Sequence, residues 1–372
     1  TNVVLRDLGA HRLKDLARQE HIYQLDAFDL ESEFPPLKTL DSQPNNLPLQ
    51  MTSFLGRERE FEEVKQLLEI SRLVTLTGSG GAGKTRLALQ LAADLLDEFE
   101  QGVWWVDLAS LEDSNLAVQS VADVLSVREE TQSPLIETLG EYLRNKHLLL
   151  ILDNCEHIIE GSARLADELL RASLGLRILT TSREALRISG EYTYPVLSLN
   201  TPDPAHLPDY ERLSQYDAVR LFIDRAVAVS PTFSVNNTTA PSVAEICYRL
   251  DGIPLAIELA AARVGVMPVE IVLTRLDDRF RLLSKGDRSL LPRHQTLAAV
   301  IDWSYDLLWD EECILFRRLG VFKGGWTIEA AEAVCCGDEL EKCNVFEILT
   351  SLVEKSLVLI DRSNHEYRYR ML

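Results

Sequence analysis

Residues 78–85 have the composition of a loop that binds phosphate. They read Gly-Ser-Gly-Gly-Ala-Gly-Lys-Thr, follow an apolar run and open an amphipathic helical pattern. Glycines let successive backbone N–H groups converge on phosphate oxygens, and a helix N-terminus adds partial positive charge. Lys84 would reach the outer phosphates of a nucleotide, and the Thr85 hydroxyl would bind Mg²⁺. The predicted nucleotide contacts are Gly78, Ser79, Gly80, Gly81, Ala82, Gly83, Lys84, Thr85 and the following Arg86.

A second candidate site begins with the five apolar residues 148–152, which Asp153 follows. A buried strand that delivers one carboxylate at its C-terminal end is the Walker B pattern, so Asp153 is expected on the Mg²⁺ side. Asn154 occupies the catalytic position where fast P-loop ATPases usually carry a second carboxylate, and an amide cannot act as a base. The sequence therefore predicts slow hydrolysis. Glu156 could substitute, but we expect a solvated loop glutamate.

Residues 180–183, Thr-Thr-Ser-Arg, end a third strand-like run. They are expected at the same edge of the sheet as Asp153. Arg183 could contact the γ-phosphate there and so distinguish ATP from ADP. The alternative is a surface arginine beside the following segment.

The same glycines also match a dinucleotide-binding fingerprint. Gly78, Gly80 and Gly83 fit G-x-G-x-x-G, and Asp107 ends the next strand near the usual position of a ribose-binding acid. The pair formed by Lys84 and the adjacent threonine has no role on a pyrophosphate, however, and a Walker B strand follows. A nucleotide triphosphate site is therefore favoured over a dinucleotide oxidoreductase.

Strand and helix patterns alternate around these residues. This alternation predicts an α/β domain over residues 51–205 with the doubly wound parallel sheet of the P-loop NTPases. The predicted strands lie at 73–76, 103–106, 148–152 and 177–179, and predicted helices lie at 57–70, 85–99 and 135–146.

The apolar spacing becomes helical beyond this domain. Segments 214–229, 239–250, 254–265 and 268–283 predict a helical domain over residues 206–288. Residues 289–372 show three helix patterns and then two strand-like runs, which is the order of a winged-helix domain. Before the core, residues 31–50 are predicted to form a proline-containing linker.

Composition limits the class of protein. The 372 residues allow two to three domains, and 46% hydrophobic with 26% charged residues excludes wholesale disorder. The net charge of −20 opposes binding to DNA and anionic lipid. Residues 290–372 hold nine Lys/Arg against fourteen Asp/Glu, a net of −5, whereas a DNA groove reader needs a basic face. A DNA-binding regulator is therefore a less favoured alternative.

The sequence contains few features that indicate protein targeting or redox chemistry. The six cysteines form no CxxC pair, so reduced thiols are expected rather than a zinc site. No apolar run is long enough to span a bilayer, and the N-terminus does not read as a signal peptide. We therefore expect a cytoplasmic protein. The first residue is not Met, and the last residues follow a strand-like alternation directly, so the chain is interpreted as the middle section of a longer one.

Five motifs occur in a specific joint order: Phe54-Leu55-Gly56-Arg57-Glu58, the phosphate loop, Leu152-Asp153-Asn154, Thr181-Ser182-Arg183 and Gly252-Ile253-Pro254-Leu255. The set resembles the NB-ARC-type STAND ATPases, which are signal-transduction switches related to AAA+ proteins. The resemblance covers about residues 51–372. It implies that a nucleotide lies between the three domains, with Arg183 as sensor. The implied adenine contacts are Phe54, Leu55, Gly56, Arg57 and Pro254.

The resemblance also implies a mode of action. ADP would lock a closed monomer, and exchange for ATP would open it for oligomerisation. The family's Met-His-Asp motif falls at Met371-Leu372, where Leu372 replaces the histidine. An ATP/ADP-binding switch with slow Mg²⁺-dependent hydrolysis is therefore the leading hypothesis, and a dedicated ATPase enzyme is the alternative.

Residues 1–30 carry a different resemblance. Asp7-Leu8-Gly9, Arg12-Leu13-Lys14-Asp15-Leu16 and Tyr23-Gln24-Leu25 are similar to the last strands of class III adenylate/guanylate cyclase domains. This implies a cyclase-like domain upstream in the full-length protein, with a sensor region downstream. So short a remnant cannot contain the metal-binding aspartates, and no cyclase activity is expected from this chain.

Overall fold

The computed structural model describes most of the chain. The described residues are 3–12, 19–27, 34, 43–48, 53–111, 113–129, 133–206, 210–276, 305, 308–322, 325–337, 344–355, 357–361 and 367–371.

An antiparallel hairpin lies at the start of the chain. It consists of β1 (Val3–Arg12) and β2 (Gln19–Ala27), with a register shift between Asp7 and Gly9. The cyclase resemblance stays a prediction.

A five-stranded sheet with flanking helices forms the core. The order β4-β5-β6-β3-β7 is parallel throughout, so β6 lies between the strand before the phosphate loop and the Walker B strand. The elements are α1 (Glu58–Ile70), β3 (Leu73–Thr77), α2 (Lys84–Asp94), β4 (Val103–Asp107), α3 (Leu116–Leu125), α4 (Leu135–Leu143), β5 (Leu148–Asp153), α5 (Ile159–Ala172), β6 (Leu176–Thr181) and β7 (Glu191–Pro195). The predicted α/β fold is confirmed.

Apolar side chains on both faces of the sheet hold the core together. Every residue of β5 is buried, which explains its unbroken apolar run. Val64 and Leu68 of α1 pack on one face with Leu87 and Leu91 of α2. Helices α3, α4 and α5 cover the other face. The carboxyl ends of β3, β5 and β6 therefore lie at the same edge of the sheet.

Helices follow the core, as the apolar spacing predicts. They are α6 (Tyr210–Leu213), α7 (Asp217–Val229), α8 (Ala240–Arg249), α9 (Pro254–Ala261) and α10 (Val269–Arg275). Their shared core is built around the fully buried Phe222. Helix α9 begins with Pro254, which tolerates the first helical turn because the missing N–H has no partner there. The end of the predicted segment 268–283 lies outside the described residues.

In the last part of the chain, the described residues form three helices and then a hairpin. Helices α11 (Asp310–Leu319), α12 (Ile328–Cys335) and α13 (Val345–Glu354) precede the antiparallel strands β8 (Val358–Asp361) and β9 (Arg368–Met371). They share a core that includes Leu315, Trp326 and Leu349. This order agrees with the expectation, but the winged-helix assignment and the domain boundaries stay predictions. Leu372 lies outside the described residues.

Membrane insertion receives no support from the helices. In the described ranges, none is both long and apolar enough to cross a bilayer.

Candidate functional site

The phosphate loop leaves β3 at Gly78 and enters α2 at Lys84. Gly78 has a φ of +150°, and a Cβ atom there would lie 2.5 Å from the carbonyl oxygen of Val196. Only glycine fits so close to a neighbouring backbone. The loop therefore keeps the shape that the motif predicts by packing against the chain that follows β7.

Lys84 is buried at the start of α2, with its ammonium turned back over the loop. Its Nζ atom donates hydrogen bonds to the carbonyl oxygens of Gly78, at 2.7 Å, and Ser79, at 3.1 Å. Burial is the main reason that the pKa of Lys84 is lowered to about 8. The charge of Glu156 opposes this shift, and the charge of Arg183 contributes to it. The structure thus places the lysine of the motif over the backbone of the phosphate loop.

Thr85 and Asp153 lie side by side, although 68 positions separate them. The Thr85 hydroxyl donates to Asp153 Oδ1 over 2.9 Å, and the Thr181 hydroxyl donates to the same oxygen. Burial raises the pKa of Asp153 to about 7, and the nearby charges of Asp107 and Glu156 add to this rise. A hydroxyl and a carboxylate in contact form the hard oxygen donor set that Mg²⁺ prefers.

Asn154 has its side-chain amide between two carboxylates. Its Nδ2 atom donates to Asp153 Oδ2 over 2.7 Å and to Asp107 Oδ1 over 3.2 Å. The backbone is left-handed there, with φ +64° and ψ +53°, a conformation that asparagine tolerates better than most residues. A third carboxylate at this position would repel both neighbours, so the amide joins acids that would otherwise repel each other.

Glu156 is not the solvated loop residue that we expected from the sequence. It lies in a 3₁₀ turn, Cys155–His157, and its side chain is only 6% exposed. Its Oε1 atom lies 3.5 Å from Nε of Arg183, which is itself buried. The expectation was wrong because the turn after Asn154 packs the glutamate against a cation from the end of the neighbouring strand. The alternative of a surface arginine at 183 is wrong for the same reason.

The motif around residue 57 reaches the phosphate loop from its other side. Arg57 is buried, and its Nη2 atom donates to the carbonyl oxygens of Ala82, at 2.6 Å, and Leu197, at 2.8 Å. This contact could not be predicted from the sequence, because it joins distant positions through backbone atoms. Phe54 is partly buried against the core, and Leu55 is also partly buried.

The segment of residues 252–255 also touches the loop. The N–H of Leu255 donates to the Gly81 carbonyl over 3.3 Å. Pro254 lies 3.8 Å from the place that a Cβ atom of Gly83 would occupy, and the Arg57 guanidinium lies 3.9 Å from the same place. The structure therefore brings together at Gly83 two of the residues that were expected around an adenine.

Arg86 faces away from the loop residues and towards the helices that follow the core. Its Nη1 atom is 2.7 Å from Glu258 Oε1, and its Nη2 atom donates to the Ser53 carbonyl over 2.9 Å. Arg225 binds the same carboxylate at 3.0 Å and the same carbonyl at 3.0 Å. In the described structure Arg86 therefore ties α2 to α7 and α9, whereas the sequence predicts a nucleotide contact.

A cleft of about 1100 Å³ opens beside the phosphate loop. It is lined by all three parts of the chain, with Gly78 and Ser79 from the core, Tyr248 and Asp251 from the helical part and Arg370 from β9. Arg370 Nη1 and Asp251 Oδ1 form an ion pair at 2.9 Å across it. A second cavity, of about 480 Å³, is lined by Glu156 and Arg183 together with residues such as Trp309.

A parallel sheet with a glycine-rich loop, a lysine at the following helix and a paired threonine and aspartate defines a P-loop NTPase, a class of nucleotide-binding proteins. The NB-ARC domain family matches residues 57–195, which contain the loop, the Walker B strand and Arg183. The chain belongs to the NB-ARC family of P-loop NTPases.

Curated relatives match this chain over most of its length. One is a Mycobacterium tuberculosis protein provisionally named as an HTH-type transcriptional regulator, 44% identical over 310 residues, which cover 83% of this chain and 33% of that protein. Another is an uncharacterized protein of the same species, 41% identical over 324 residues, which cover 87% of this chain and 79% of the relative. The chain thus spans about a third of the length of the first relative.

A solved structure shows a partial likeness. It is a STAND protein with a tetratricopeptide repeat sensor from Pyrococcus horikoshii, 17% identical with a TM-score of 0.39, covering 86% of this chain and 41% of that one.

Proposed function

We propose that this chain is a switch that binds ATP or ADP with Mg²⁺, hydrolyses ATP slowly and changes the packing of its three parts with the nucleotide bound. One observation carries the proposal. The phosphate loop touches the helical part at Leu255, and the cleft beside the loop is closed on a third side by Arg370. A ligand at the loop would therefore lie at the joint between the parts.

The residues present fit a nucleotide and its metal ion. Lys84 and the loop N–H groups suit phosphate oxygens, and the contact between Thr85 and Asp153 supplies oxygen ligands for Mg²⁺. When bound, Mg²⁺ would neutralise charge on the phosphates. Arg57 and Pro254, which meet at Gly83, would face the base, together with Phe54, Leu55 and Gly56.

Slow hydrolysis is proposed because of the amide at position 154. The Asn154 side chain donates to Asp153 and Asp107 and is no proton acceptor at its nitrogen. A turnover well below about 1 per second would suit a timed switch better than a dedicated enzyme. Arg183, buried at the end of β6, is proposed to sense the terminal phosphate.

Opening is proposed to expose surface for self-association in the ATP state. The ion pair of Arg370 with Asp251 and that of Arg187 with Glu354 join the last part to the others, and both include half-exposed groups. Exposed ion pairs are worth only about 0–1 kcal/mol each, so a bound triphosphate could outweigh them. A cyclase-like domain before this chain and a sensor region after it stay proposals.

Small-angle scattering and light scattering test the switch. With a non-hydrolysable ATP analogue and Mg²⁺, the radius of gyration is expected to rise relative to the ADP-bound protein, and the mass to rise with protein concentration. Lys84→Ala, which loses the charge-assisted phosphate contact, should show neither change. Identical size and mass of the wild-type protein with both nucleotides would contradict the proposal.

A further inference from the structure

Glu156 is buried, and it lies near the edge of the sheet where Mg²⁺ is proposed to bind. It stands three residues after Asp153, in the turn that follows β5, and 94% of its side-chain surface is removed from solvent. A carboxylate is seldom buried to this degree unless it is paired or used, because desolvation disfavours its charge.

The pairing of Glu156 is incomplete. Oε1 faces Arg183 Nε at 3.5 Å, a distance longer than a charge-assisted hydrogen bond. Oε2 is buried and has no hydrogen-bond partner among the residues that the structure describes. A buried acceptor without a donor is unfavourable, because it has lost its hydrogen bonds to water. The second oxygen is thus available for a donor that is not part of this chain.

A shared cavity and electrostatics link Glu156 to residues proposed to bind phosphate. It lines the 480 Å³ cavity together with Arg183, the proposed γ-phosphate sensor. Among the charges that act on Lys84, that of Glu156 is the largest and favours the charged ammonium. Asn154, at the usual position of the catalytic acid, has its amide nitrogen engaged by Asp153 and Asp107.

We propose that Glu156 is the catalytic carboxylate of this ATPase, which orients the attacking water and takes its proton. This inference rests on the proposed function. The water oxygen forms a bond to the γ-phosphorus, and the bond from that phosphorus to the β,γ-bridging oxygen breaks. The bridging oxygen keeps the electron pair and leaves with ADP. The proton passes from water to Glu156 and then to the released phosphate.

Single-turnover analysis of Glu156→Gln tests this role. Wild type and variant are loaded with ATP and Mg²⁺, freed of excess nucleotide and quenched at intervals, and the bound nucleotide is identified by chromatography. Conversion to ADP should be about 100-fold or more slower in Glu156→Gln, because a general base contributes roughly 10²–10⁴-fold. The amount of bound nucleotide and the melting temperature should stay close to those of wild type, because glutamine preserves volume and an acceptor for Arg183.

Glu160→Gln is the matched control, since Glu160 lines the same cavity but is exposed. It should convert ATP at the wild-type rate, and Glu156→Asp, which keeps a shortened carboxylate, should exceed Glu156→Gln. Equal rates in wild type and Glu156→Gln, or no conversion in wild type over a day, would overturn the inference while leaving nucleotide binding intact. Loss of bound nucleotide in both Glu156 variants would show a structural role and overturn it too. Absence of nucleotide from every protein, wild type included, would instead overturn the proposed function.

Discussion

Single residues around Asp153 form one connected set of hydrogen bonds. Thr181 accepts from the Asn154 backbone N–H over 2.9 Å and donates to Asp153, while the Asn154 side chain spans from Asp153 to Asp107. The asparagine therefore separates two acids, one of which already has a raised pKa because it is buried. Its amide therefore contributes to the electrostatics of the site.

Asn154→Asp tests this role of the amide. The variant places a third carboxylate beside two others and removes a buried donor, so the protein without Mg²⁺ should lose about 1–3 kcal/mol of unfolding free energy. Added Mg²⁺ should recover part of the loss. Chemical denaturation measures both effects. The exposed Asn115, changed to Asp, serves as the control and should have little influence. A variant as stable as wild type without Mg²⁺ would contradict the argument.

The chemistry of the phosphate loop and Asp153 could be predicted because each depends on a short, contiguous pattern. The burial of Glu156 could not be. It depends on a left-handed turn at Asn154 and on Arg183, which a separate strand delivers 27 positions later. The contact of Arg57 with the Ala82 carbonyl is of the same kind. The chemistry of contiguous residues could be predicted from the sequence, whereas contacts between distant segments became known only from the structure.

Among the elements, the strands with continuous apolar runs were predictable and β7 was not. Its sequence, Glu-Tyr-Thr-Tyr-Pro, lies at the edge of the sheet, where most of its side chains are partly or fully exposed, so it lacks the apolar run of a central strand. The strand is nevertheless important to the site. The chain that follows it supplies the carbonyls of Val196 and Leu197, which approach Gly78 and bind Arg57.

The turn between α8 and α9 is an element that positions the site. Gly252 has φ +66°, and a Cβ atom there would lie 2.0 Å from the Leu199 carbonyl oxygen. Gly190 has a similar φ of +83° but has nothing within 4 Å of that position. A comparison of substitutions at the two glycines therefore separates the energetic cost of a left-handed backbone from that of a steric clash.

Gly252→Ala should destabilise the protein more than Gly190→Ala. Both pay about 1–2 kcal/mol for a left-handed alanine, and only the first also displaces the segment that carries Pro254 and Leu255. Denaturant titration measures the difference in stability. Binding of a fluorescent ADP analogue should weaken in Gly252→Ala and not in Gly190→Ala. Equal losses in the two variants would show that the close approach at Leu199 has no energetic effect.

In the whole molecule, the acidic charge and the cationic site are compatible. The net charge is −20, yet Lys84, Arg57 and Arg183 are all buried around the phosphate loop. Buried cations favour a ligand that carries several negative charges. A net charge of −20 opposes the approach of polyanions, so a small anion is proposed as the ligand rather than a nucleic acid. The three parts of the chain meet where that anion would bind.

The nucleotide that the purified protein carries shows whether the site around Lys84 holds ADP. Wild-type protein is denatured, and the released nucleotide is identified and counted by chromatography. We expect ADP from wild type and from the control Lys146→Ala, whose lysine lies over the Tyr142 ring outside the site. Lys84→Ala should release little or no nucleotide, because it loses the cation of the phosphate loop. Equal amounts of nucleotide from Lys84→Ala and wild type, or none from wild type, would contradict this expectation.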